Sequence, residues 1–372
     1  MNKYSLLGSV GVGLCLGWSG MSYAQPIIAT SIKPVTMIVE AIAGEHAKVQ
    51  QIVSNSASPH DFALRPSDVR KIHQADTVVW VGESLETFME KALINADKFD
   101  SSIEWLTVSN MTLRHYSDDH DEHHDDHDKH HDDHDKHHDE HHDDHDKHHD
   151  DHDKHHDDHD KHHDDHDKHH DDHDEHHDDH DKHHDDHDEH HDDHAGHQGH
   201  NHDGVDPHVW LDPDNAVALA KAVMQKLTGL DPENQTHYEH NLSVFIDSVN
   251  AAEASISASM EESRKLNYIV FHDAYGYFES HFDIHPVDSI SVNPERKPGA
   301  KKVTEIQSLI KEKSVQCIFT EPQFNPRIVS SLIEGTQVKS AQLDPLGVDI
   351  DLGPSAYPDF LMSLNKQIQS CL

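Results

Sequence analysis

The segment Tyr268-Ile269-Val270-Phe271-His272-Asp273 shows most clearly how this chain folds. Its four leading residues are apolar or aromatic, which predicts a strand buried on both faces, as in a parallel sheet covered by helices. The strand ends directly on an imidazole and a carboxylate. Side chains in that position lie at the carboxyl edge of a sheet, where open α/β folds bind their ligands.

The same alternation of strands and helices continues in both directions from this segment. Further strands are predicted at residues 27–32, 49–53, 77–81, 103–108, 287–290, 315–319 and 340–343. Helical patterns cover residues 35–42, 85–93, 213–227, 303–311, 328–333 and 357–371, and one long pattern runs from 235 to 260. Alternating elements of this kind predict parallel sheets. We therefore expect an α/β fold with two lobes of parallel sheet flanked by helices and joined by the long helix.

The charge of the chain is concentrated in one segment. The 372 residues include 72 acidic and 29 basic side chains, for a net charge of -43. Such a charge argues against nucleic acid or anionic lipid as the partner. Residues 118–194 alone hold 33 His, 37 acidic residues and 7 Lys. Without this tract and the leader, roughly 260 residues remain, which is enough for two lobes with cores of their own.

The first 24 residues have the pattern of a cleaved signal peptide. Lys3 precedes an apolar run over residues 6–18, and small residues stand at Ser22 and Ala24. The run is shorter than the ~20 residues that a membrane anchor needs. Export would leave Cys317 and Cys371 as the only cysteines of the mature chain. In an oxidising compartment they are most simply a disulfide, and two free buried thiols are the alternative.

The tract repeats His-His-Asp-Asp-His-Asp-Lys with a period of seven. It has no apolar residue with which to form a coiled-coil seam or offset its ordering entropy, so we predict disorder. Imidazole is a good ligand for Zn, Cu and Ni, and neighbouring carboxylates concentrate cations. We expect the tract to hold several divalent ions weakly, and to lose them in acid as its imidazoles become protonated near pH 6.5. A solvating spacer is the alternative interpretation.

Four side chains outside the tract have the pattern of a metal site. His60 and His208 each follow a proline, and His272 and Asp344 each follow a predicted strand. Three imidazoles and one carboxylate make a closed tetrahedral shell of the kind that Zn prefers, which favours binding over hydrolysis. A single His near a strand end is more often a capping or core residue. Six further histidines are interpreted as surface residues: His46, His73, His237, His240, His281 and His285.

The motifs at residues 58–68, 206–213, 271–275, 320–323 and 343–347 closely resemble those of zinc-specific solute-binding proteins of ABC importers. The nearest group is the ZnuA-like group of the metal-binding cluster A-I family. The resemblance implies two lobes joined by a rigid long helix, with the metal in the cleft between them. It carries the three imidazole ligands over to His60, His208 and His272, and an acidic fourth ligand to Asp344.

The resemblance also has limits and consequences. Some zinc members have Glu before the first ligand where this chain has Pro59, so the fourth position falls to Asp344 or to water. Manganese-type relatives commonly have a carboxylate in the third position, and His272 favours Zn instead. Cys317 and Cys371 fall where zinc members of the group have a disulfide.

The resemblance thus predicts both the organisation of the chain and its role. We expect a first lobe from residues 25–117 and 204–230, a disordered insertion at 118–203, a linking helix at 231–263 and a second lobe at 264–372. The predicted function is that of a monomeric periplasmic receptor that carries Zn²⁺ to an inner-membrane permease with its ATPase subunit. A metal buffer or a receptor that also accepts manganese are the alternatives. A zinc hydrolase with Glu321 as its base is disfavoured, so we do not expect an enzyme.

Overall fold

The computed structural model describes residues 24–116, 204–291, 294 and 297–372. The predicted signal peptide falls outside the described residues except for Ala24, and the predicted insertion at 118–203 falls wholly outside them. No helix among the described residues is long and apolar enough to cross a bilayer.

Two parallel sheets of four strands each form the framework, which confirms the predicted fold class. The first has the order β2-β1-β3-β4 and consists of β1 (Ile27–Thr30), β2 (Lys48–Gln51), β3 (Thr77–Trp80) and β4 (Ile103–Glu104). The second has the order β6-β5-β7-β8 and consists of β5 (Tyr268–His272), β6 (Asp288–Ser291), β7 (Cys317–Thr320) and β8 (Lys339–Gln342). All five residues of β5 are buried, as its apolar sequence predicts for a strand covered on both faces.

Nine α-helices of the described residues surround the sheets. They are α1 (Lys33–Ala43), α2 (Pro66–Gln74), α3 (Met89–Asn95), α4 (Pro213–Leu230), α5 (Gln235–Ser259), α6 (Gly276–Phe282), α7 (Ala300–Glu312), α8 (Arg327–Ile333) and α9 (Ala356–Gln369). Both sheets have the same strand order, in which the chain leaves the central strand to one side and returns on the other. This change of direction opens a crevice at the carboxyl ends of β1 and β3, and another at those of β5 and β7.

The long helix expected between the lobes is α5. Its 25 residues span about 38 Å. Five buried residues lie along one side of it: Tyr238, Phe245, Val249, Ala252 and Ile256. This stripe explains why α5 packs against α1 and α4 and also against α9, the last helix of the chain. The helix therefore contacts two helices that precede it in the chain and one that follows the second sheet.

The main hydrophobic core draws side chains from both sheets. Trp210 is at the centre of this connection, since its indole Nε1 donates to the carbonyl of Pro345 over 2.7 Å. The hydroxyl of Tyr357 in α9 donates to the carbonyl of Trp210 over 2.8 Å. A second, smaller core lies between the other face of the second sheet and helices α7 and α8. Cys317 and Cys371 are joined in a disulfide with their Cα atoms 6.0 Å apart, as the cysteine count predicts.

The structure corrects some of the predicted elements. The strand predicted at residues 103–108 is only two residues long, because the chain turns into a 3₁₀ helix at Trp105–Thr107. That turn buries the indole of Trp105, whose Nε1 donates to the carbonyl of Asn215. The helix predicted at 85–93 begins later, at Met89. The preceding turn is held by the carboxylate of Glu86, which accepts hydrogen bonds from the backbone of residues 81 and 82.

Two short helices, α2 and α6, were not predicted. The first turn of α2 begins with Pro66, and Asp68 accepts a hydrogen bond from the backbone of Arg65 in a capping arrangement. Helix α6 begins at Gly276, where a side chain would collide with Arg114: an added Cβ would lie 1.5 Å from Nη1 of that residue. A larger residue at position 276 would therefore require the guanidinium of Arg114 to move.

Candidate metal centre

Three imidazoles meet in the crevice at the carboxyl edge of the second sheet. His272 is the last residue of β5, His208 precedes the 3₁₀ helix Val209–Leu211, and His60 lies in the loop between β2 and α2. The ring centroids are 4.8 Å apart for His208 and His272, 5.1 Å for His60 and His272, and 5.4 Å for His60 and His208. One nitrogen from each ring lies within 4.8 Å of the others. The structure thus brings together the three histidines singled out in the sequence.

The cluster surrounds a very small space. The lining includes Pro59, Trp210 and Leu346 beside the three rings, and the cavity volume is about 10 Å³. A cavity of this volume is at the lower limit for one water molecule, so it has room for one ion or water and none for an organic molecule.

In two of the imidazoles, one ring nitrogen is in hydrogen-bond contact with a carboxylate. Nδ1 of His208 lies 2.7 Å from Oδ1 of Asp206, and Nδ1 of His272 lies 3.4 Å from Oε2 of Glu321. With Nδ1 donating a proton to each carboxylate, Nε2 keeps its lone pair. Nε2 of both His208 and His272 is buried and has no hydrogen-bond partner. An unpaired buried nitrogen is costly, and a bound metal ion would remove that cost.

Burial favours the neutral form of two of the imidazoles. It lowers the pKa of His60 to about 2, with further lowering by His208 and His272. Burial also lowers the pKa of His208, against the opposing effect of Asp206. A metal ion binds the neutral form of imidazole, so these two side chains present ligating nitrogens at neutral pH without first releasing a proton.

Asp344 does not join the cluster in this structure. Its Oδ1 accepts hydrogen bonds from the backbone of Leu346 and the side chain of Gln323, and its Oδ2 accepts one from the backbone of Val348. The reason is the position of its strand. Asp344 follows β8, which is separated from β5 by β7, and strands are spaced about 4.8 Å apart. Glu321 follows the intervening strand and is therefore the carboxylate that reaches His272.

The residues that carry the ends of the insertion lie beside this cluster. The backbone N–H of Tyr116 donates to the carbonyl of Gly204 over 2.9 Å, so the two ends meet. The hydroxyl of Tyr116 lies 3.4 Å from Oδ1 of Asp206 and 3.5 Å from Nδ1 of His208. The backbone of Asp206 also accepts a hydrogen bond from the hydroxyl of Tyr277. Tyr116 and Gly204, the described residues nearest to the insertion in sequence, therefore lie next to the partner of His208.

A second group of metal-ligating side chains contains a histidine that the sequence analysis interpreted as a surface residue. Asp212, Asp214 and His281 each offer an atom within 4.8 Å of the others. Nδ1 of His281 faces Asp212 at 3.5 Å and its Nε2 faces Glu253 at 3.2 Å. The hydrogen bond to Asp212, together with the charges of both carboxylates, raises the pKa of His281. We interpret this group as a polar contact between a half-buried imidazole and two carboxylates at the N-terminus of α4.

The paired parallel sheets and the buried imidazole cluster define an α/β protein with a site of the metal-binding type. The chain belongs to the family described as "Zinc-uptake complex component A periplasmic", whose model matches residues 28–371. This confirms the resemblance drawn from the sequence motifs.

Relatives and solved structures agree with this family. The "High-affinity zinc uptake system protein ZnuA" of Haemophilus influenzae is 39% identical over 353 residues, which cover 94% of each chain. The protein of that name from Yersinia pestis is 33% identical and covers 94% of this chain and 92% of its own. A crystal structure of ZnuA has a TM-score of 0.62 at 17% identity, covering 94% of this chain and 99% of that one. The laminin-binding adhesin of Streptococcus agalactiae has the same TM-score at 18% identity and covers 94% and 100%. These two structures share the fold.

Proposed function

We propose that this protein is the zinc-binding receptor of a high-affinity zinc ABC importer, with the ion held by His60, His208 and His272. The observation that carries the proposal is the cluster itself: two buried imidazoles and one partly buried imidazole around a space that admits a single ion. The names of the relatives support zinc as the ion. The expectation of a zinc receptor, drawn from the sequence motifs, agrees with the family to which the chain belongs.

The ligand set favours zinc over manganese. All three candidate ligands are nitrogens, and manganese prefers oxygen ligands. The two nearest carboxylates, Asp206 and Glu321, are directed at Nδ1 of their imidazoles and not at the free Nε2 atoms. With Asp344 occupied by backbone donors, water is the better candidate for the fourth position.

The periplasm is the compartment of this receptor. The signal-like pattern in residues 1–24 would direct export, and an inner-membrane permease with its ATPase subunit would accept the zinc. We infer that the chain acts as a monomer with lobes at 25–117 plus 204–230 and at 264–372. Helix α5 connects these lobes within the proposed link at 231–263, and its contacts with α1, α4 and α9 support that division. A hydrolytic role is disfavoured, because Glu321 is engaged with His272 and the cavity excludes an organic substrate.

The His-rich tract acts as a weak collector of zinc in addition to the tight site. Tyr116, the last described residue before the tract, contacts Asp206 and His208, which supports this role. In the alternative, a metal buffer, the tract holds the zinc and the fold is only its carrier. The two functions differ in what remains after the tract is removed.

Replacing residues 118–203 with a short Gly-Ser linker is expected to leave one tight zinc site per chain. Tyr116 and Gly204, which flank the replaced segment, are hydrogen-bonded to each other, so a short linker can join them. Isothermal titration with Zn²⁺ measures the stoichiometry and affinity. The matched controls are the intact chain, the intact chain carrying His60→Ala and His272→Ala, and the linker variant carrying the same two replacements. Loss of the tight site on removal of the tract, with its retention in the double variant of the intact chain, would contradict the proposed function and favour the buffer.

Mild acid is expected to separate the two kinds of site. At about pH 5.5 most free imidazoles, with a pKa near 6.5, are protonated and release zinc. The pKa of His60 is depressed to about 2, so this ligand stays neutral as the pH falls through that window. Zinc retained after dialysis should fall from several ions at pH 7.5 to one at pH 5.5. Complete loss of zinc at pH 5.5, or an unchanged stoichiometry, would contradict this expectation.

A further inference from the structure

Each of the two most buried imidazoles of the cluster is paired with its own carboxylate. Asp206 is 2% exposed and accepts hydrogen bonds at Oδ1 both from Nδ1 of His208 and from the backbone N–H of His208, at 2.7 and 3.0 Å. This double contact fixes both the ring and its backbone. Glu321, 4% exposed, faces Nδ1 of His272 with Oε1 at 3.3 Å and Oε2 at 3.4 Å.

The two pairs come from unrelated parts of the fold and still have the same geometry. Asp206 stands two residues before His208 in one loop, whereas Glu321 follows β7 and reaches His272 across to β5. In both pairs Nδ1 faces the carboxylate, and Nε2 is left buried without a partner. For His60 the described residues show no carboxylate in contact with the ring. Two of the three candidate ligands are therefore held in one tautomer, and the third is not.

Asp206 and Glu321 also supply the negative charge that the three imidazoles lack. Three neutral imidazoles bring no negative charge to a divalent ion, and a buried uncompensated charge is strongly unfavourable. The carboxylates of Asp206 and Glu321 supply two negative charges, each one imidazole away from the place of the ion. They balance the two positive charges of Zn²⁺ without Asp344 as a ligand. Oε1 of Glu321 is buried and lies 3.3 Å from Nδ1 of His272, so this carboxylate faces the imidazole with both of its oxygens.

We propose that Asp206 and Glu321 are positioning residues of the zinc site, which hold His208 and His272 with Nε2 toward the ion and neutralise its charge without ligating it. The inference rests on the proposed function, since it concerns the same site. It assigns to Glu321 a different role from the general base of a hydrolase. A residue that touches the far side of a ligand tunes the affinity for the metal, and its loss typically weakens binding 10- to 100-fold.

The test uses the full-length protein with Asp206→Asn and with Glu321→Gln. Both replacements keep the size of the side chain and an oxygen acceptor, so they remove the charge with little change of shape. Zinc affinity is measured by competition with a chromophoric chelator that buffers free Zn²⁺ below the level at which the tract binds. Each variant should bind zinc 10- to 100-fold more weakly than the wild type. Circular dichroism of the zinc-free variants checks that both are folded.

Glu279→Gln is the matched control. Glu279 is a buried glutamate of the same part of the chain, but its carboxylate accepts its hydrogen bond from the hydroxyl of Tyr268 and not from a ligand. Burial raises the pKa of Glu279 to about 8, so at pH 7 most of it is already neutral, like glutamine. Its replacement should leave the zinc affinity unchanged.

A spectroscopic readout separates positioning from a general loss of structure. In the zinc-loaded wild type, ¹⁵N chemical shifts of the histidine rings should show Nε2 of His208 and His272 bound to metal and their Nδ1 protonated. In Glu321→Ala, which lacks any acceptor, the Nδ1 proton of His272 should lose its protection from exchange while that of His208 keeps it.

The outcomes distinguish the two proposals. Affinities within threefold of the wild type for both isosteric variants, or Nδ1 as the zinc-bound nitrogen, would overturn the positioning role while leaving the receptor function intact. A wild type without a tight site, or a tight site that survives alanine at all three histidines, would overturn the receptor function itself.

Discussion

Replacement of His208 by Ala is expected to weaken zinc binding at the cluster by about a hundredfold to a thousandfold. Zinc sites with four protein ligands bind with roughly 10–16 kcal/mol, so one ligand in four contributes ~2.5–4 kcal/mol, and each 1.4 kcal/mol is tenfold. His208 is also the most firmly held of the three, through Asp206 and the hydroxyl of Tyr116. Competition with a chelator at buffered zinc concentrations measures the change.

His281→Ala is the control for this replacement. His281 is half-buried and lies between two carboxylates, as His208 lies beside one, but it is not a member of the three-imidazole cluster. Its removal should cost some stability and leave the zinc affinity within threefold of the wild type. Equal loss of affinity in His208→Ala and His281→Ala would show that the cluster is not the tight site.

The position of His272 could be predicted from the sequence, because a local rule was sufficient. An apolar run long enough for a buried strand ends on this imidazole, and the carboxyl ends of parallel strands face the ligand crevice. The same rule applies to Glu321, which directly follows β7 (Cys317–Thr320), and places it at the ligand-binding edge of the sheet. What the rule lacks is the order of the strands in the sheet.

The prediction that Asp344 joins the cluster also did not take the strand order into account. The local pattern of Asp344 matches that of His272, but β8 lies at the edge of the sheet, and the loop after it turns its own backbone N–H groups onto the carboxylate. These contacts depend on how distant segments pair. No periodicity in the sequence reports them. The short helices α2 and α6 were also missed, although helix α8, which is as short as α6, was predicted.

Trp210→Ala is expected to destabilise the zinc-free protein by about 3–5 kcal/mol, the usual cost of truncating a large buried aromatic side chain. The indole is 1% exposed, and its centroid lies 5.2 Å from that of His208. Its Nε1 donates to the carbonyl of Pro345, which follows the second sheet. The hydroxyl of Tyr357 donates to the carbonyl of Trp210. The truncation therefore leaves a cavity at the place where the two sheets share a core. Urea unfolding without zinc measures the free energy of unfolding.

Trp210→Phe distinguishes packing from hydrogen bonding at this position. Phenylalanine keeps most of the aromatic surface but leaves the buried carbonyl of Pro345 without its donor, at a cost of roughly 1–3 kcal/mol. Because Trp210 also lines the ion cavity, both replacements should weaken zinc binding, and the alanine more than the phenylalanine. Zinc at a saturating concentration raises the free energy of unfolding in proportion to the logarithm of the ratio of the zinc concentration to the Kd. The increase on adding zinc should therefore be smaller in Trp210→Phe than in the wild type, and smallest in Trp210→Ala. A loss below about 1 kcal/mol in Trp210→Ala would mean that the two sheets do not depend on a shared core at this residue.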